Sequence, residues 1–152
     1  MPKIDVDSLP IDTRTGYPPP HDKLVVGRSR KRLGNAAGLD QFGVNLTRLR
    51  PGSASSMRHW HESEDEFVYV LEGELVLIED GGEIVMRPGD AAGFKAGVAN
   101  GHHLVNRSDR DAVYLEIGSR HATERVQYSD IDLAAAKDAA GLRYTRKDGT
   151  PF

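Results

Sequence analysis

The sequence contains no cysteine. Disulfide scaffolds, thiolate zinc sites and thiol nucleophiles are excluded together. Long apolar runs are also missing; the densest stretch, residues 67–71, is far too short to span a bilayer. Nor is there an excess of positive charge. Lys and Arg number 20 against 23 Asp and Glu, a formal net charge of −3. That balance gives no electrostatic reason to expect nucleic acid or an anionic membrane as a partner. There is no Gly-rich phosphate loop, no Gly-x-Ser-x-Gly elbow and no convincing nucleophilic triad. The opening residues lack the apolar segment of a secretion signal, so a cytoplasmic protein is expected. What is there is a chain of 152 residues, enough for one domain with its own core.

Residues 1–22 are rich in Asp and Pro and run into Pro18, Pro19 and Pro20. Proline breaks helices and cannot serve a central strand. Residues 1–40 are therefore expected to form an extended arm, loose or laid against a neighbouring surface, with one short strand at 23–26. Arg28, Arg30, Lys31 and Arg32 make a basic run before Gly34. The run reads as a solvated loop, with an anion site as the sharper alternative.

From residue 41 the pattern turns to strands. Runs at 41–49, 57–61, 66–71, 74–79, 83–87, 91–94, 102–106 and 112–117 are separated by turn residues. Gly81-Gly82 marks a tight hairpin, and Pro88-Gly89-Asp90 marks a second turn. Many short strands argue for an all-β sandwich or barrel over residues 41–118. Residues 119–152 read as an extension with one short helix: Asp130 or Asp132 as cap, good helix formers at 133–140, and Gly141 just past the end.

Four of the 6 histidines fall in two clusters. In His59-Trp60-His61 the two imidazoles share one face of a strand, roughly 6.6 Å apart along the backbone. Glu66 opens the next strand and offers a hard oxygen; Asp65 is its rival. Two imidazoles with a carboxylate suit a divalent first-row metal. In the second cluster His102 shares the face of Leu104 and Asn106, and His103 falls on the other; a slip of one residue would exchange them. His21 and His121 read as surface residues, and Glu62 and Glu64 as a solvated loop edge. Gly52, Gly73, Gly89 and Gly97 read as turn residues. Tyr69, Phe94 and Tyr114 read as core.

Gly52, His59, His61, Glu66 and Gly73 resemble the first cupin motif, and Gly89, Gly97, His102 and Asn106 resemble the second. The resemblance covers residues 42–118 and is closest to single-domain bacterial cupins, with Trp60 inside the first motif and Asn100-Gly101-His102-His103 in the second. It departs from the usual pattern at Lys95, where a proline is common. It departs again at Asn100, where the usual spacing would put the histidine; the His102-to-Asn106 spacing is kept. The resemblance implies a double-stranded β-helix, a jelly-roll-like barrel. It implies one divalent metal ion (Fe, Mn, Ni, Zn or Co) on His59, His61, Glu66 and His102. Cupins of this design include sugar-phosphate isomerases, dioxygenases and acid lyases or decarboxylases. A metalloenzyme acting on a small polar molecule is thus expected, with a non-catalytic binding or sensing module as the alternative. Small cupins commonly pair, so a homodimer is expected too.

Overall fold

The computed structural model describes residues 3–152. Its strands, in chain order, are β1 (Arg28–Arg32), β2 (Phe42–Leu49), β3 (His59–His61), β4 (Glu66–Glu72), β5 (Leu75–Glu79) and β6 (Gly82–Met86). They continue as β7 (Ala91–Phe94), β8 (His103–Val105), β9 (Ala112–Ser119), β10 (Glu124–Tyr128), β11 (Ala134–Asp138) and β12 (Gly141–Thr145). Helix is confined, among the described residues, to α1 (Leu33–Ala36) and a 3-10 turn at His21–Val25.

One wall is a five-stranded sheet in the order β1-β2-β9-β4-β7. Facing it are β12-β11-β10-β3 and β6-β5-β8, joined by a backbone bridge between His59 and His102. Every strand pairing is antiparallel. The result is the expected antiparallel β-barrel.

Register decides what faces the interior, because side chains alternate with period two. Val70, Tyr114 and Thr47 are partners across β4, β9 and β2, and all three are buried. They place Val68, Glu116 and Asn45 on the same inward face, then Glu66, Gly118 and Gly43. Leu49, Val68, Val70, Leu75, Leu77, Met86, Leu104 and Tyr114 pack into an apolar core, with Phe94 against it. A second cluster joins Val126, Tyr128, Leu133 and Ala135 to Tyr17 and Tyr144. The polar inward residues lie toward the Glu66 end of the sheet.

Several expectations are corrected. Residues 21–25 form a 3-10 turn where a strand at 23–26 was expected, and only Val25 is buried. The basic run is strand β1, not a solvated loop. Register turns its alternate arginines inward, and carboxylates meet two of them there: Glu116 for Arg30 and Asp12 for Arg32. The arm lies against this strand, Asp12 and Arg30 exchanging backbone hydrogen bonds of 2.8 and 2.9 Å.

The expected C-terminal helix is strand β11. Leu133 and Ala135 are buried at alternate positions, and β10 and β12 satisfy the backbone on both sides. Helix propensity is a weak preference that such pairing overrides. Gly141, with φ +104°, opens β12 instead of ending a helix. Tyr69 is exposed on the outer face, since Val68 and Val70 take the inward positions of β4. Gly52, Gly73, Gly89 and Gly97 do occupy turns, all with positive φ.

Candidate metal centre

The hydrogen-bonded bridge between β3 and the start of β8 builds the centre. His59 N–H donates to His102 O at 3.2 Å, and His102 N–H to His59 O at 2.9 Å. Residues that exchange both backbone bonds present their side chains on one face. His61 shares that face two residues on from His59. Glu66 enters from the opposite wall as the first residue of β4.

The four side chains meet. Nε2 of His59 and of His61 lie 3.1 Å apart. Nε2 of His102 is 2.7 Å from a Glu66 oxygen, which is also 3.5 Å from His59 Nε2. The other Glu66 oxygen is 3.4 Å from His61 Nε2. His103 points away, its Nδ1–H donating to the Ser56 carbonyl at 2.8 Å. Asp65 is also elsewhere, accepting the Ala96 N–H at 2.8 Å.

Tautomers follow from the outer hydrogen bonds. His59 Nδ1–H donates to the Met57 carbonyl at 2.8 Å, with Ser56 Oγ 3.2 Å away. His102 Nδ1–H donates to the Asn100 carbonyl at 3.3 Å. Nε2 is thereby the nitrogen that each of these rings turns toward Glu66. Imidazole nitrogens gathered around a carboxylate are, once a cation displaces their protons, the donor set that a divalent metal ion uses. His61 Nδ1 is buried and has no hydrogen-bond partner among the described residues; the carboxylate of Glu124 stands 4.0 Å away.

The electrostatics agree. Burial raises the Glu66 carboxyl pKa, but hydrogen bonds from His102, His59 and His61 outweigh it and hold the group well below its ordinary value. Burial disfavours charge on His61, yet Glu66, with Glu124 and Glu64 behind it, raises that imidazole above its ordinary value. Phe94, opposite Glu66 in register, stacks on the His102 ring with centroids 3.6 Å apart and planes 2° from parallel. Phe94 was expected in the core; it both touches the core and braces a histidine.

Sequence reading missed Glu124, buried on β10 opposite β3. Its carboxylate accepts N–H groups of Glu62 and Ser63 just beyond His61, at 3.0 to 3.2 Å. With His61 and Glu64 it forms a second group of potential ligand atoms on the far side of that imidazole. No local pattern marks Glu124, because only strand pairing brings it there. Glu64, read as loop edge, instead sits half-buried and pairs with Lys137. Asn100 holds the hairpin, accepting from Asp80 N–H and donating to Glu79. Asn106 is fully buried and donates to the carbonyls of Leu49 and Arg110, a structural role.

A cavity of about 640 Å³ opens on His59, Glu66 and His102 and reaches the wall of β1. The family model described as a cupin domain matches residues 45–118. A beta-D-galactosidase of Mycobacterium tuberculosis is 34% identical over 98 residues, covering 64% of this chain and 78% of that protein. The crystal structure of a cupin-superfamily sugar phosphate isomerase from Silicibacter pomeroyi is 52% identical. It superposes with a TM-score of 0.97 over 99% of this chain and 96% of that one. This chain belongs to the cupin superfamily. The crystal structure of a candidate sugar phosphate isomerase from Acidithiobacillus ferrooxidans is 30% identical with a TM-score of 0.75, covering 82% of this chain and 80% of that one. The matched segment spans both histidine clusters and Glu66, so the cupin motifs and the convergent side chains coincide.

Proposed function

We propose that His59, His61, Glu66 and His102 hold one divalent first-row metal ion, and that the chain is a metal-dependent enzyme acting on a small sugar derivative. The observation that carries this is the meeting of three imidazole Nε2 atoms and one carboxylate at the wall of an open cavity. An ion that prefers six ligands would keep two positions for substrate oxygens when held by these four side chains. Iron, manganese, nickel, zinc and cobalt all accept the set. When bound, such an ion polarises a substrate oxygen and stabilises negative charge that develops on it.

The reaction we favour is aldose–ketose isomerisation of a phosphorylated sugar, supported by the similarity to the Silicibacter pomeroyi isomerase. The chain's own residues shape the pocket for it. Phe94 braces the His102 ring, and Gly118, the register partner of Glu66, lines the cavity with Gly43 on the next strand. Turnover of a panel of sugar phosphates in deuterated water tests the reading. Isomerisation should place deuterium beside the carbonyl, and chelation should abolish it. A metal-loaded protein that turns over no member of the panel would replace the enzyme with a non-catalytic binding module.

We also propose a homodimer. Its support is the outer face of β4, where Phe67 and Tyr69 are 42% and 38% exposed. An apolar sheet face of this kind is commonly covered by a partner.

A further inference from the structure

We infer that the guanidinium of Arg28, beside the Arg30–Glu116 pair, is an oxyanion subsite that holds a phosphate or carboxylate group of the substrate. The inference deepens the proposed function; it takes from it only that a substrate enters this cavity.

Strand β1 turns Arg28, Arg30 and Arg32 inward, because their register partners include the inward residues Thr47 and Asn45. Two of the three are neutralised. Arg32 pairs with Asp12 at 2.8 Å. Arg30 pairs with Glu116, whose carboxylate also accepts from Asn45 Nδ2 at 2.9 Å and from Tyr114 Oη at 3.3 Å.

Arg28 is different. It is 7% exposed and lines the cavity. Its N–H groups donate to the carbonyls of Ser55 at 2.6 Å and of Arg14 at 3.5 Å. Among the described residues no carboxylate lies within ion-pair distance of it. A guanidinium cannot discharge itself by losing a proton. Burying it unpaired is costly, so its charge calls for an anion. Burial and then the like charge of Arg30 push its pKa down, the direction expected of an undercompensated cation.

The wider cavity has the same sign. Six cationic side chains line it, against the carboxylates Glu64, Glu66 and Glu116. The chain as a whole carries −3. A positive cleft in a negative molecule concentrates small anions.

The subsite and the metal centre are close enough for one small molecule. Both line the same cavity: the Arg28 backbone, opposite Leu49 and in line with Ala112, stands three inward steps from Gly118, the register partner of Glu66, and its long side chain spans that gap to the Ser55 carbonyl. From the other wall, the Ser55 carbonyl that anchors Arg28 adjoins Ser56, whose hydroxyl sits 3.2 Å from His59 Nδ1. A sugar of a few carbons could place its oxygens at the metal and its anionic group at Arg28.

Calorimetric titration with inorganic phosphate and with acetate, at constant ionic strength in chloride, tests this. The proteins are wild type, Arg28→Gln and His61→Ala, each with its metal content measured. Phosphate should bind wild type and His61→Ala alike, and Arg28→Gln at least tenfold more weakly with metal content unchanged. If acetate competes equally well, the group is a carboxylate as readily as a phosphate. Should Arg28→Gln not fold, Arg28→Lys keeps the charge without the planar fork; it should bind phosphate at least threefold more weakly. Phosphate binding lost in His61→Ala but kept in the Arg28 variants would place the anion on the metal and overturn the subsite. Binding no tighter than the chloride background in wild type would overturn it as well. Arg28-dependent phosphate binding without turnover would remove the enzyme reading alone.

Discussion

At the residue scale, two adjacent histidines have opposite duties. His102 and His59 exchange backbone hydrogen bonds and so share a face, whereas His103 is turned to the Ser56 carbonyl. Burial lowers the His103 pKa, which suits a neutral, hydrogen-bonded ring. Replacing His61 with Ala should weaken metal binding by at least about a hundredfold, since it removes one of the four proposed ligands. Replacing His103 with Ala should leave metal content nearly unchanged. Elemental analysis of the two purified variants checks both; equal loss would contradict the face assignment. Glu66 rather than Asp65 is the carboxylate at the centre for the same reason of direction: Asp65 is engaged by the Ala96 N–H outside it.

At the scale of elements, the approach to His102 is held by Arg58. Its guanidinium donates to Asp130 at 2.9 and 2.7 Å and to the Gly101 carbonyl at 3.0 Å, and it pairs with Asp80 in the β5–β6 turn. Gly101 is needed for closeness, not for backbone freedom. A Cβ there would meet Ser129 Cβ at 2.9 Å and Arg58 Nη1 at 3.4 Å. Gly101→Ala should therefore cost about 1–3 kcal/mol and weaken metal binding by shifting His102. Gly81→Ala is the control, because nothing lies within 4 Å of its Cβ position. Thermal melts of both variants decide the matter.

The same arginine gives a pH signature. Hydrogen bonding to Arg58 lowers the Asp130 pKa below its ordinary 3.8. A carboxyl whose folded pKa is depressed stabilises the fold above its unfolded value, and that contribution is lost as pH falls through the folded one. The Tm gap between wild type and Arg58→Met should thus narrow as pH drops below about 4. Asp130 is 56% exposed on its side chain, so solvent screening limits its share to about 1 kcal/mol or less. A gap that stays constant down to acid pH would show that the ion pair carries no stability.

At the scale of the molecule, the barrel divides its labour between an apolar end and a polar one. Leu49, Val70, Leu75 and Tyr114 are fully buried in the core, while the histidines, Glu66 and the inward arginines face the cavity. The outer sheet face is a third surface. If it is the proposed dimer contact, Phe67→Asp should shift sedimentation from dimer to monomer and leave the metal content intact. A wild-type chain that sediments as a monomer at micromolar concentration would remove the dimer.

Much of the fold and the centre was legible before any tertiary structure. The β-branched and aromatic runs of β2, β4 and β9, turn glycines at 52, 73, 89 and 97, and the spacing of His59, His61, Glu66 and His102 are local properties of the chain. Local backbone geometry converts them directly into strands, turns and a shared face. Other features depended on what lies opposite. Alanines at 134–136 favour a helix by propensity, yet strands on both sides made them β11. Arg28, Arg30 and Arg32 look like solvated charges until Glu116 and Asp12 are brought against two of them. Glu124 carries no local mark at all; the pairing of β10 with β3 puts it beside His61. Alternation along one strand is encoded within that strand, whereas the polarity of a barrel interior belongs to all the walls at once and arises only when they close.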